Sequence, residues 1–86
     1  MFNVVATVDM FSINQSIFVY EDGNTIETCN PSLETFPSTI LSLQDKYGFT
    51  NLSMIGPKRF LQGYKKKIEE LEMTKYSENK LNITIL

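Results

Sequence analysis

The sequence predicts an α/β domain with a mixed sheet, in the element order β-β-β-α-β-α-β. Three observations favour this class: alternating apolar residues at the N-terminal end, an Asp22-Gly23 hairpin signal, and two later segments whose apolar residues recur at helical spacing. The helical connections favour parallel pairing of strands one, four and five, through right-handed crossovers. With 86 residues, 42% of them apolar, residues 1–86 are predicted to form one domain with a small core.

The first three strands are predicted to form an antiparallel meander. The first covers residues 1–10, where apolar side chains alternate along one face: Phe2, Val4, Ala6, Val8 and Met10. Residues 12–15 are polar and predict a turn, residues 16–21 a second strand, and residues 25–29 a third. Between these two strands, Asp22-Gly23 is typical of a two-residue hairpin turn.

Helix one is predicted to begin near residues 35–37 and to end at about Tyr47. Its apolar face repeats at intervals of three and four residues: Phe36, Ile40, Leu43 and Tyr47. Gly48 suits the position just after the helix, where a left-handed conformation is common.

A short apolar strand, a Gly56-Pro57 turn and a charged amphipathic helix are predicted within residues 51–73. Proline suits the first helical position, where no N–H is needed. The charges oppose the helix macrodipole, because Lys58 and Arg59 lie in the first turn and three glutamates lie near the end. Residues 75–80 predict a polar connection, and residues 81–86 predict a final strand.

Composition excludes several classes of protein. No apolar run is long enough to span a membrane, and no signal peptide is recognised, so a cytoplasmic location is expected. The lone Cys29 excludes an internal disulfide, and the chain has no histidine for metal binding or proton transfer. No catalytic residue, metal site or cofactor is predicted. Cys29 is interpreted as a small, largely buried side chain rather than a reactive thiol.

The order of elements resembles the core of the ribonuclease H-like fold, which also forms the nucleotide-binding halves of actin-like ATPases. The resemblance covers nearly the whole chain and implies a sheet order of three-two-one-four-five. Asp9 lies where the family has its first carboxylate, but Ile55-Gly56 offers no carboxylate for a two-metal site. The turn at residues 10–14 lacks the glycines of an ATPase phosphate loop. The alternative for Asp9 is a residue that caps a turn.

The first functional hypothesis is a non-enzymatic interaction module. The final strand would lie at the edge of the sheet, where another strand can add. The candidate interface residues are Leu81, Ile83 and Ile85. The expected partner is a second copy of the chain or another protein, with no membrane contact.

The alternative hypothesis is binding of nucleic acid, or of a small anion, at the basic start of helix two. The candidate binding residues are Gly56, Lys58, Arg59, Lys65, Lys66 and Lys67, with Tyr64 or Tyr76 available for base stacking. A solvated helix face explains the same cations without any ligand.

The charge of the chain is divided between its two parts. Residues 1–57 carry six acids and one base, whereas residues 58–86 carry seven bases and four acids. This division favours an acidic partner or head-to-tail self-association. The alternative is a simple difference in charge between two parts of the surface of one domain.

Overall fold

A computed structural model describes residues 2–73 and 81–86. The strands are β1 (Phe2–Thr7), β2 (Ser16–Glu21), β3 (Asn24–Cys29), β4 (Asn51–Ile55) and β5 (Asn82–Ile85); the helices are α1 (Phe36–Tyr47) and α2 (Lys58–Glu72). All the strands join one sheet in the order β3-β2-β1-β4-β5. The α/β class, the element order and the strand order are therefore those predicted from the sequence. The polar connection predicted at residues 75–80 lies outside the described residues.

The sheet is mixed, as the hairpin and the two helical crossovers require. β1 pairs antiparallel with β2, and β2 with β3, while β4 runs parallel to both β1 and β5. The hairpin between β2 and β3 turns at Asp22 and Gly23, whose φ angles are 51° and 81°. Positive φ at both residues is the mark of a type I′ turn, which confirms the predicted hairpin.

The first strand ends earlier than predicted. β1 stops at Thr7, and the last main-chain bond to β4 is from Val8 N to Ile55 O at 2.8 Å. Met10, predicted to continue the strand, is 46% exposed in the following turn. The prediction was wrong because the apolar alternation continues to Met10, whereas the chain leaves the sheet at Asp9.

The core lies between one face of the sheet and the two helices. Alternate strand residues are buried there, including Val4, Ala6, Ile17, Val19, Leu52 and Met54. The helices contribute buried residues that include Phe36, Ile40, Leu61 and Ile68. Right-handed crossovers that proceed in the same direction along a sheet leave their helices on the same side of it. α1 and α2 are therefore neighbours, and both begin at the end of the sheet where β1, β3 and β4 finish.

Gly56 fixes the junction between β4 and α2. Its φ of 154° is rarely adopted by other residues, and a Cβ there would lie 2.5 Å from the carbonyl oxygen of Val8. The close approach of these two backbones sets the angle at which the chain leaves the sheet. Gly56, predicted as part of an anion site, thus has a steric role in the fold.

Candidate interaction surfaces

The outer edge of β5 presents main-chain groups. Asn82 N donates to Thr50 O at 2.7 Å, and Leu86 N donates to Met54 O at 2.9 Å. Successive residues of a strand direct their amides to opposite sides. The N–H and C=O groups of Ile83 and Ile85 therefore point away from β4, where no strand of the described chain pairs with them.

Glu72, the last residue of α2, shapes the start of this edge. Its Oε1 accepts a hydrogen bond from Leu81 N at 2.6 Å, so the first outward amide next to β5 is satisfied internally. The side chain of Leu81 is 3% exposed, and those of Ile83 and Ile85 pack against the core. The three predicted interface residues thus face inward with their side chains, and the edge offers backbone groups for recognition.

A second candidate surface is the loop between β1 and β2, called here the Phe11 loop (residues 9–14). Phe11 is 90% exposed and Ile13 is 83% exposed. Two large apolar side chains that are so exposed within one short loop are unusual in a folded domain and mark interaction surfaces. The sequence predicted residues 12–15 as a polar turn and residues 9 and 10 as the end of the first strand, so this surface was not predicted.

The Phe11 loop is held in shape by Asp9 and Gln15. Asp9 Oδ1 accepts a hydrogen bond from Phe11 N at 2.9 Å, which closes a turn and supports the capping interpretation of this carboxylate. Gln15 is only 1% exposed. Its amide accepts from Asp9 N at 2.5 Å and donates to Asp9 O at 3.1 Å and to Ser12 O at 3.3 Å. Phe11 and Ile13 therefore belong to a turn whose backbone is fixed by hydrogen bonds.

A third candidate surface is an open cavity of about 520 Å³ between the start of α1 and the exposed side of α2. We call it the α1–α2 groove. Its apolar lining comes from Leu33, Pro37, Phe60, Gly63 and Tyr64. Its charged lining comes from Glu34, Arg59 and Lys67. A size between 300 and about 1,000 Å³ with mostly apolar walls is common among binding sites.

Two features of α2 keep the α1–α2 groove open. The ring of Tyr64 rests against Phe36, with ring centroids 4.9 Å apart, and burial raises the pKa of its hydroxyl. A Cβ on Gly63 would meet no atom within 4 Å, so glycine at this helical position leaves the floor of the groove empty. Phe60, beside it, is 39% exposed.

The Phe11 loop and the α1–α2 groove are neighbours. Gln15 N donates to Pro31 O at 2.7 Å, and Asn14 forms an isolated bridge with Ser32. The same segment continues directly into Leu33, which lines the groove. The base of the loop and one wall of the groove are therefore parts of one connected structure at one end of the sheet.

The basic residues of α2 do not form one patch. Lys58, Arg59, Lys66 and Lys67 are exposed, and Lys65 is half-buried. At 3.6 residues per turn, Lys58 and Lys65 share one side of the helix, and Arg59 and Lys66 share the next. Lys67 lies further round the helix, and it lines the groove together with Arg59. Exposed Glu69 and Glu70 lie between these cations. Of the predicted stacking residues, Tyr64 is half-buried, and Tyr76 lies outside the described residues.

A polar cluster lies on the opposite side of α1, around Glu27. Its carboxylate accepts hydrogen bonds from Lys46 Nζ at 2.6 Å, Tyr47 OH at 2.5 Å and Cys29 Sγ at 3.3 Å. Lys46 and then Tyr47 are the main causes that lower the pKa of Glu27 from 4.5 to about 2. Burial, and then Glu27, raises the pKa of Cys29. The half-buried thiol thus stays protonated, which makes it a poor nucleophile.

The described residues contain no group of three or more acidic, cysteine or histidine side chains placed to hold a metal ion. No helix among them is both long and apolar enough to cross a membrane. Comparison of the chain with protein-family models, with curated proteins and with solved structures finds no match to any of them. Function must therefore be argued from the surfaces themselves.

Proposed function

We propose that the chain is a small, non-enzymatic protein-interaction module that adds a strand to the outer edge of β5. The observation that carries this proposal is the pair of outward amides at Ile83 and Ile85. An exposed edge of this kind binds an extended segment through main-chain hydrogen bonds. Because the side chains of Ile83 and Ile85 pack against the core, the backbone of these residues supplies the affinity of the contact.

The partner strand belongs either to a second copy or to another protein. In the first case, two β5 strands related by a two-fold axis would run antiparallel and join the two sheets. In the second case, a partner would supply one extended segment. Both cases require the main-chain donor of Ile83, and this shared requirement gives a direct test.

The test compares Ile83→Pro with Ile83→Ala. Both variants lose the apolar side chain, but only proline removes the outward N–H. We expect association to be lost in Ile83→Pro and largely kept in Ile83→Ala. Sedimentation velocity would measure self-association, and capture from a lysate of the native host would measure partner binding.

Hydrogen exchange provides an independent measurement on the wild-type protein. The amides of Ile83 and Ile85 should exchange quickly in the monomer and become protected in the complex. Equal binding by the proline and alanine variants, with fast exchange at both amides throughout, would contradict the proposal.

As a finer description of the fold, we propose a ribonuclease H-like core. The strand order and the two neighbouring helices support it. Catalysis is not part of the proposal, because Asp9 is engaged in a turn with Phe11 N and Ile55-Gly56 offers no second carboxylate. A cytoplasmic location stays a prediction.

Binding of nucleic acid or an anion at the start of α2 is the less supported alternative. Its five cations are spread over about 200° of the helix circumference, and glutamates lie among them. A phosphate-binding surface would need several cations on one side. A complex with DNA or RNA that weakens steeply with salt would favour the alternative over the edge-strand proposal.

A further inference from the structure

The Phe11 loop has the properties of an anchor for another protein surface. Its two apolar side chains are almost fully exposed, and aromatic anchors of this kind dominate binding energy when they enter a pocket. Asp9 and Gln15 already hold the turn, so association would not need to order it. Binding by a loop that is already ordered avoids much of the entropic cost of association.

We infer that the Phe11 loop of a second copy of this chain occupies the α1–α2 groove. A cavity of roughly 150 Å³ holds a benzene ring. The groove is more open than such a cavity and, at about 520 Å³, larger. Its apolar lining matches these two side chains in character.

The charges around the two surfaces are complementary. The carboxylate of Asp9 lies at the base of the loop, and the groove is lined by the cations Arg59 and Lys67. Glu34 also lines the groove, so its three charged residues carry a formal charge of +1. The same polarity exists in the sequence, where the acidic residues 1–57 precede the basic residues 58–86.

Adjacency of the loop and the groove determines the symmetry of the contact. Both are attached to residues 31–33, at the same end of the molecule. In the proposed dimer, two copies face each other with these ends, and each places its loop in the groove of the other. Such an isologous dimer forms its contact twice and closes on itself. This surface is distinct from the β5 edge, and it does not depend on the edge-strand proposal.

The first variant removes the anchor. Phe11→Ser changes a side chain that is 90% exposed, so folding should be unaffected. Dimerisation should weaken at least about tenfold, as for a residue that carries a large share of the binding energy. Sedimentation velocity over a range of concentrations measures the dissociation constant. Unchanged dimerisation in this variant would overturn the inference.

The second variant fills the groove. Gly63→Leu places a side chain in the empty floor, and it should weaken dimerisation as strongly as Phe11→Ser does. Gly63→Ala is its matched control: a single methyl group leaves most of the cavity free, so dimerisation should be kept. Circular dichroism would establish that each variant folds. If dimerisation is lost in Phe11→Ser but kept in Gly63→Leu, the groove is not the site that binds the Phe11 loop.

Mixing the two variants gives the most specific test. Phe11→Ser has an intact groove, and Gly63→Leu has an intact loop, so one of the two contacts can form between them. We expect a mixed dimer that is weaker than the wild-type dimer and stronger than the dimer of either variant alone. Labelling one variant with a fluorophore would detect it. A wild-type chain that stays monomeric at every concentration, or a mixture without a complex, would refute the inference.

Discussion

Glu27 connects β3 to the end of α1 through its carboxylate, which binds Lys46, Tyr47 and Cys29. The pKa of Glu27 falls from 4.5 to about 2, so the folded protein binds this proton less readily than the unfolded chain does. The resulting stabilisation is present above pH 4.5 and is lost as the pH falls towards 2. We therefore expect the melting temperature to fall less in Glu27→Gln than in the wild type as the pH is lowered through this acidic range.

A nuclear magnetic resonance titration of the Glu27 carboxyl carbon would test the cause. Lys46→Gln removes the nearest cation and leaves Tyr47 and Cys29 in place, so the pKa of Glu27 should rise part of the way to its ordinary value. An ordinary pKa for Glu27 in the wild-type protein would contradict the hydrogen-bonded cluster.

At the level of elements, replacement by alanine should have opposite effects at Gly56, which precedes α2, and at Gly63, which lies within it. Gly63 lies in the helix with open space at its Cβ position, so Gly63→Ala should stabilise the protein by about 1 kcal/mol. Gly56 has a φ of 154° and the Val8 carbonyl within 2.5 Å of that position. Gly56→Ala should therefore cost about 3 kcal/mol, from strain and displacement of β1.

Thermal denaturation of the two alanine variants would measure both effects. A change of 1 kcal/mol shifts the melting temperature of a domain of this size by roughly 4–8 °C, so the difference is easily resolved. Equal stability of the two variants would mean that Gly56 does not have the close contact with Val8.

The elements that the sequence predicts well are those with local causes. The Asp22-Gly23 turn needs positive φ at two residues, and the apolar periodicity of α1 and α2 follows directly from burial on one side. The end of β1 was predicted poorly. The side chain of Gln15 binds both the N–H and the C=O of Asp9, six residues earlier. The alternation of apolar residues does not predict these two hydrogen bonds.

At the scale of the whole molecule, the strand order that places β5 at the edge of the sheet was predicted through the resemblance in element order, and the structure has that order. The α1–α2 groove could not be predicted in the same way, because Leu33 and Gly63 are 30 positions apart and meet only in the tertiary structure. For Phe11 and Ile13, one sequence signal was available: two large apolar residues within a predicted turn, just after Asp9. Such residues have no place in a sheet and must either fold inward or meet a partner.

The two proposed contacts together predict how large the assemblies become. A molecule with two separate two-fold contacts grows past a dimer, into a closed assembly such as a D2 tetramer when the two axes intersect and into an open chain when they do not. If β5 pairs with β5 of another copy, wild-type protein should grow beyond dimers as its concentration rises. Ile83→Pro should then stop at dimers joined by the Phe11 loop, and Phe11→Ser should stop at dimers joined by β5. Light scattering distinguishes these cases. If the wild-type protein stops at a dimer and the Phe11→Ser variant is a monomer, the partner of β5 is a strand from a different protein.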